Sequence, residues 1–225
     1  MRGQRRIGLI VIVVLLLVLA VDVAHAEGVS CPNVQVTVFA SASAEVDGAC
    51  RVVEAAGIFL AANGMDMLDA LDIHLVDHLP NVCADHSFGC YDSHSHRIDM
   101  LSMERCLALK LTPALPMDPA LCRSLIAHEA AHAVVDANFF DPRPNLLVHE
   151  YVAYVTMLAT LPDADVQRVM DASPGRGFDN PSQISIDYYF LNPTHFGVEA
   201  YRHFLKPGNG RAFMDDIRAG RALRR

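Results

Sequence analysis

The chain has no internal repeat, no low-complexity tract and no long Gly/Ser linker, which argues against a modular array. No cysteine pair has the C-x-x-C spacing of a zinc knuckle or a dithiol redox site. Positive charge is scarce: 18 Lys and Arg stand against 26 Asp and Glu, and both signs are spread along the chain. Nucleic acid is therefore not an expected partner. The longest apolar run, Ile7 to Val21, counts 15 residues. That is short of the roughly 18 to 20 that span a bilayer.

That run is informative for what flanks it. Arg2, Arg5 and Arg6 precede it, Asp22 ends it, and Ala24-His25-Ala26 has the small-x-small form of a cleavage site. Residues 1–26 are expected to be a secretory signal peptide, with an uncleaved amino-terminal anchor as the alternative. Arg5-Arg6 fits a twin-arginine signal poorly, so ordinary Sec export is favoured. The mature chain, residues 27–225, is expected in the periplasm or secreted, with no stable membrane span once the signal is removed. Its length suits one domain with a sizeable core. Losing three Arg and one Asp with the signal moves its charge from −8 to −10. The basic end, Arg218, Arg221, Arg224 and Arg225, reads as the solvated carboxyl end of a last helix.

All six cysteines (Cys31, Cys50, Cys83, Cys90, Cys106, Cys122) follow the cleavage point, so three structural disulfides are expected in an oxidising compartment. Of the possible pairings, proximity weakly favours Cys31 with Cys50, Cys83 with Cys90 and Cys106 with Cys122.

Periodicity divides the chain into two halves. Val34 to Phe39 alternates and is β-branched, a helical pattern runs from Val46 to about Ala62 and stops at Asn63-Gly64, and Asp72 to Val76 reads as a second strand. Phe88 to Tyr91 and Arg97 to Leu101 flank a polar tip, as a hairpin does. Then Asp118 can cap and Pro119 can start a helix whose Leu121, Leu125, His132 and Val135 recur at helical spacing. Asp141-Pro-Arg-Pro144 breaks the chain, Asn145 can cap an apolar helix from Leu146 to Leu161, and a last helix starts at Asn192-Pro193. The expected class is α+β, a small sheet with helices in the first half and a helical second half.

The helix after Asp118 carries His128-Glu129-Ala-Ala-His132. Four residues is slightly more than one turn, so both imidazoles leave one face and can grip one ion. A catalytic zinc also needs a third protein ligand and an open position. Glu150 is the candidate, because a carboxylate in the apolar stretch Leu146 to Tyr154 costs free energy unless a partner or a cation compensates it. The alternatives are a helix whose polar residues merely face a cleft, and for Glu150 an ion pair or a favourable place near a helix start. His149 leaves the helix about 100° away from Glu150 and is read as exposed or supporting, not as a ligand.

Here the sequence resembles the gluzincin metallopeptidases, the zincin branch that combines H-E-x-x-H with a downstream Glu. His128-Glu-Ala-Ala-His-Ala-Val-Val-Asp136 fits the thermolysin-like H-E-x-x-H-A-V-x-D, and the resemblance covers about residues 124 to 154. The resemblance implies a zincin-like fold, one Zn2+ per chain on His128, His132 and Glu150, Glu129 as general base, and a peptide or protein as substrate. It also implies a substrate-binding edge strand, for which Arg97 to Leu101 is the candidate. Where those enzymes have N-E-x-x-S-D, this chain has His149-Glu150-Tyr-Val-Ala-Tyr154, so Tyr154 replaces the Asp that orients a zinc-bound His; Asp136 is a possible substitute.

An oxyanion donor besides zinc is expected from His195, then Tyr201 or His203, although Tyr154, Tyr188 and Tyr189 are also available. His195, Glu199 and His203 equally form the stripe of an ordinary polar or packed helix face. His86, His94 and His96, with Asp85 and Asp92, could hold a second metal, but polar loop tips accumulate such residues. A non-catalytic zinc scaffold and a disulfide-stabilised interaction protein of the cell envelope are the rival functions.

Overall fold

A computed structural model describes residues 27–67, 70–84, 87–112, 115–139 and 144–223. The proposed signal segment, Asp85, His86, most of the Pro-containing break and Arg224-Arg225 lie outside them.

The first half builds one mixed sheet. Its strands are β1 (Gly28–Ser30), β2 (Val36–Phe39), β3 (Leu71–Val76), β4 (Gly89–Asp92) and β5 (Arg97–Leu101), with helix α1 (Ser43–Ala62) between β2 and β3. The order is β1-β2-β3-β5-β4; β2, β3 and β5 run parallel, and β1 and β4 are antiparallel edges. Alternation puts Val36, Val38, Ile73, Ile98 and Met100 on one face. There they meet Val46, Ala49 and Val53 of α1 and Ile126, Ala130 and Ala133 of a later helix. Gly64 takes φ +83° just after α1, a left-handed turn that suits glycine and ends the helix.

Next come α2 (Met103–Leu107), a small β6 (Lys110–Thr112) and β7 (Leu115–Pro116) pair, and the central helix α3 (Pro119–Asn138). The Asp118 side chain accepts from the backbone N–H groups of Ala120 and Leu121, and Pro119 occupies the first turn. Ala127, Ala130, Ala131 and Ala133 are fully buried, so neighbouring elements approach α3 closely from several sides. α4 (Leu146–Ala159) starts at Asn145, whose side chain accepts from the Val148 N–H. Then follow α5 (Asp163–Ala172), a 3-10 turn (Pro181–Gln183), α6 (Ile186–Leu191), α7 (Pro193–Leu205) and α8 (Arg211–Arg218). Tyr151 and Val155 of α4, Phe196 of α7 and Phe213, Met214 and Ile217 of α8 form the core of this half.

The α+β class and both helix starts agree with the sequence. Asn192-Pro193 does start a helix, but not the last one: α8 follows, and Arg218 closes it. The hairpin is present as β4 and β5, yet Arg97 to Leu101 is not the edge strand. β5 lies between β3 and β4, because its chain pairs on both sides, and β4 holds the edge. The disulfides are Cys31–Cys50, Cys83–Cys90 and Cys106–Cys122. They tie the amino-terminal strand region to α1, close a loop onto β4, and join α2 to α3. No helix of the described residues is long and apolar enough to cross a membrane.

Candidate metal centre

α3 and α4 pack against each other and bring one polar group from each turn to the floor of a cleft of about 720 Å³. His128 and His132 leave the same face of α3, and Glu150 projects from the first turns of α4 towards both. His128 Nε2 is 3.7 Å from Glu150 Oε2, and His132 Nε2 is 3.8 Å from Oε1. Those gaps are too long for hydrogen bonds. They are close to the separation of two donors that each lie about 2.0–2.2 Å from one shared ion. One ligand atom from each of the three residues lies within 4.8 Å of the others, so this group could hold a metal ion.

The surroundings of these groups favour a cation. Glu150 is 5% exposed and its Oε2 has no hydrogen-bond partner. A buried carboxylate oxygen left in that condition costs about 1–3 kcal/mol or more. Burial pushes the Glu150 carboxyl up to about 7. Burial and the nearby Glu150 charge push Glu129 up to about 8. Two carboxyls thus share a space in which neither ionises easily alone. Burial lowers His128 to about 4 and His132 well below the ordinary imidazole value, His132 also feeling His128 and His149. Both are therefore neutral at neutral pH, with ring nitrogens able to ligate.

Glu129 lines the cleft beside the triad, one residue after His128. The edge strand β4 forms the facing wall with Gly89, Cys90 and Tyr91, and Phe88, Leu125 and Met157 add apolar surface. His149 is partly buried, and its Nε2 is 3.4 Å from Asp136 Oδ1. Asp136 therefore does not take over the orienting role expected of it. It faces His149, whose ring is 5.5 Å from that of His132, while the outer nitrogen of His128, Nδ1, is buried without a hydrogen-bond partner. What stands beside His128 is Tyr154, ring edge to ring face, with centroids 4.6 Å apart at 78°.

The other expected residues are dispersed. His195 Nδ1 is 2.6 Å from Ser173 Oγ, and Tyr201 packs into a cluster with Leu121, Met157 and Val198. Neither is among the described residues that line the cleft. His203 is 2% exposed and pairs with the Tyr151 hydroxyl at 2.8 Å, while Glu199 accepts from the Gly177 N–H and from Arg202. The polar stripe of α7 is thus a packed face. The hairpin tip holds Asp92 and His94, exposed and 3.4 Å apart, and the described residues contain no second metal cluster there. Sequence reasoning placed Tyr189 only as one of several available tyrosines. Tyr154 carries a local signal, being one turn beyond Glu150 on α4, whereas Tyr189 reaches the site from another helix and carries none.

No curated protein and no solved structure matches the chain. Residues 36–225, which include every group of the centre, match DUF6639, a family of unknown function, and the chain belongs to that family.

Proposed function

We propose that this chain is an exported zinc metallopeptidase. The observation that carries the reading is the buried Glu150 carboxylate, with an oxygen that no protein group satisfies, converging with two neutral imidazoles at spacings suited to a shared ion. His128, His132 and Glu150 would hold one Zn2+, and these donors are those of hydrolytic zinc sites that keep a fourth position open. Bound there, zinc supplies a Lewis acid that polarises a carbonyl and brings the pKa of water towards about 7.

The remaining work falls to residues of the chain. Glu129 lines the cleft but is not needed to complete the ligand set, which suits a base that takes a proton from water and passes it to a leaving amine. β4 is an antiparallel edge strand along the cleft, where an extended peptide can add as a further strand beside Gly89 and Tyr91. Tyr154, in place of His195 or Tyr201, is the cleft hydroxyl to be tested as a hydrogen-bond donor to a developing oxyanion. Three disulfides fit an extracellular or periplasmic setting.

The test is metal analysis of the oxidised protein, residues 27–225, beside Glu150→Ala and Glu129→Gln, with peptide-library cleavage on the same samples. The expected result is one zinc per chain, affinity lowered by about 100-fold or more in Glu150→Ala, and metal retained in Glu129→Gln with cleavage down about 10²–10⁴-fold. Zinc without cleavage in the wild type would favour a scaffold. A folded chain that ignores zinc would sink the metal assignment.

A further inference from the structure

α6 is a short helix that is held at several points yet turns two large apolar side chains to solvent. The Ser185 side chain caps it by accepting from the Tyr188 N–H, Tyr188 packs on Phe178, and Tyr189 packs on Phe196 of α7. With those two rings engaged, Phe190 and Leu191 are left 68% and 83% exposed. Large apolar side chains exposed singly are ordinary, but these two are the only consecutive ones among the described residues.

Their place is the rim of the cleft. Tyr189 on one side of the pair, and Pro193 and Thr194 on the other, line it. The remaining rim also carries exposed apolar groups: Leu146 lines the cleft at the start of α4, and Val82 precedes the cleft-lining Ala84 by two residues. The polar centre thus lies on the floor, with apolar side chains around the opening.

Resting on the peptidase reading above, we infer that Phe190 and Leu191 form a substrate-docking site outside the cleft, and that the substrate class is an unfolded polypeptide with apolar side chains flanking the segment in the cleft. A chain added to the β4 edge is extended and rises about 3.3 Å per residue, so the residues that leave the cleft reach its rim within a few positions. A folded protein buries such side chains and pairs its own strands; an unfolded one offers both. A lipid surface fits less well, because it makes no use of a strand edge and, where anionic, repels a chain of net charge −8.

Binding is measured by fluorescence polarisation on the oxidised, zinc-treated Glu129→Gln protein, in which the peptidase reading keeps substrate bound but uncleaved. The probes are an unstructured peptide of about 20 residues with Phe and Leu near both ends, its twin with Ser at those positions, and its central segment of about six residues, about 20 Å when extended. Phe190→Ser/Leu191→Ser should keep the melting temperature, because both side chains are exposed, and bind the long peptide about 10–100-fold more weakly. It should bind the Ser twin and the central segment as the unsubstituted protein does. Ile58→Ser, equally exposed on α1 and not among the cleft-lining residues, should change nothing. Equal affinity of both proteins for the long peptide would overturn the inference. So would a double substitution that abolishes self-association or binding to phosphatidylcholine vesicles and spares the peptide, which would assign the pair to a second copy or to lipid. If the central segment binds as tightly as the long peptide, this inference alone falls; if the unsubstituted protein binds neither, the peptidase reading falls with it.

Discussion

At the scale of single residues, the centre replaces an expected carboxylate with aromatic packing, and that substitution has a vulnerable point. Tyr154 occupies the place where the resemblance calls for Asp, and it touches His128 by ring contact alone. Its position depends on Gly197. A Cβ built there would lie 2.2 Å from the Tyr154 ring, a distance no packing tolerates, and the ring has His128 on one side and Phe196 on another. Gly197→Ala therefore has to displace Tyr154. Overpacking of this kind costs about 1–3 kcal/mol, and the shift should carry to the His128 imidazole. The expectation is a lower thermal midpoint together with weaker zinc binding, measured by calorimetry and chelator competition. Retention of full zinc affinity in a destabilised Gly197→Ala protein would show that Tyr154 supports the fold but not the ligand.

At the scale of elements, the cleft owes one wall to an edge strand and to the disulfide attached to it. Cys90 is in β4, and its bond to Cys83 closes the short loop that brings Ser87 and Phe88 to the cleft. Cys83 and Cys90 are half-buried, whereas Cys31, Cys50, Cys106 and Cys122 are 2–8% exposed. Limiting dithiol should thus reduce Cys83–Cys90 first, with alkylation mapped by mass spectrometry as the check. Losing that crosslink should cost about 2–3 kcal/mol on the chain-entropy estimate. The residues proposed to hold the metal lie on α3 and α4, so metal content should persist, while the proposed peptidase activity should show a raised KM. Reduction of Cys106–Cys122 ahead of it would mean that burial does not govern access in this protein.

The same elements show how far the sequence could be read. Helix starts were legible because a cap is a local event: Asp118 and Asn145 each satisfy backbone N–H groups two or three residues away. The pair of imidazoles was legible for the same reason, since four residues fix their common face. The edge strand was not, because β5 and β4 are neighbours in sequence and only the long-range pairing of β5 with β3 decides which of them is outermost. Asp136 and His149 meet across the α3–α4 contact, and Tyr189 lines the cleft from a different helix, so no periodicity announces either. The short α6 precedes the helix expected to be last and the amphipathic α8 follows it, and neither was read.

At the scale of the whole molecule, α3 serves both halves, with Ala130 and Ala133 against the sheet and Ala131 in the core of the helical half, while α4, α7 and α8 close on one another around Tyr151. One buried base sits in that closure. His203 of α7 shares a hydrogen bond at Nδ1 with the Tyr151 hydroxyl of α4 and packs against Phe213 of α8, with ring centroids 4.6 Å apart. Burial, and then the nearby charge of Lys206, lowers it from 6.5 to about 4. The folded protein therefore holds His203 neutral at a pH where the unfolded chain has already protonated it. Above about pH 6.5 both states are neutral and the group contributes no pH dependence. Between about 6.5 and 4 the unfolded state binds the extra proton, so stability falls as pH falls, and below about 4 the slope ends. Each pKa unit corresponds to about 1.4 kcal/mol, and with allowance for residual solvation the total is of order 2 kcal/mol. His203→Gln keeps an acceptor for Tyr151 and removes the titration. Urea midpoints of the two proteins should accordingly converge, or cross, as pH is lowered from 6.5 to 4, whatever acid does to the metal centre they share. Midpoints that stay parallel over that range would mean that His203 is not the acid-sensitive joint of the helical half.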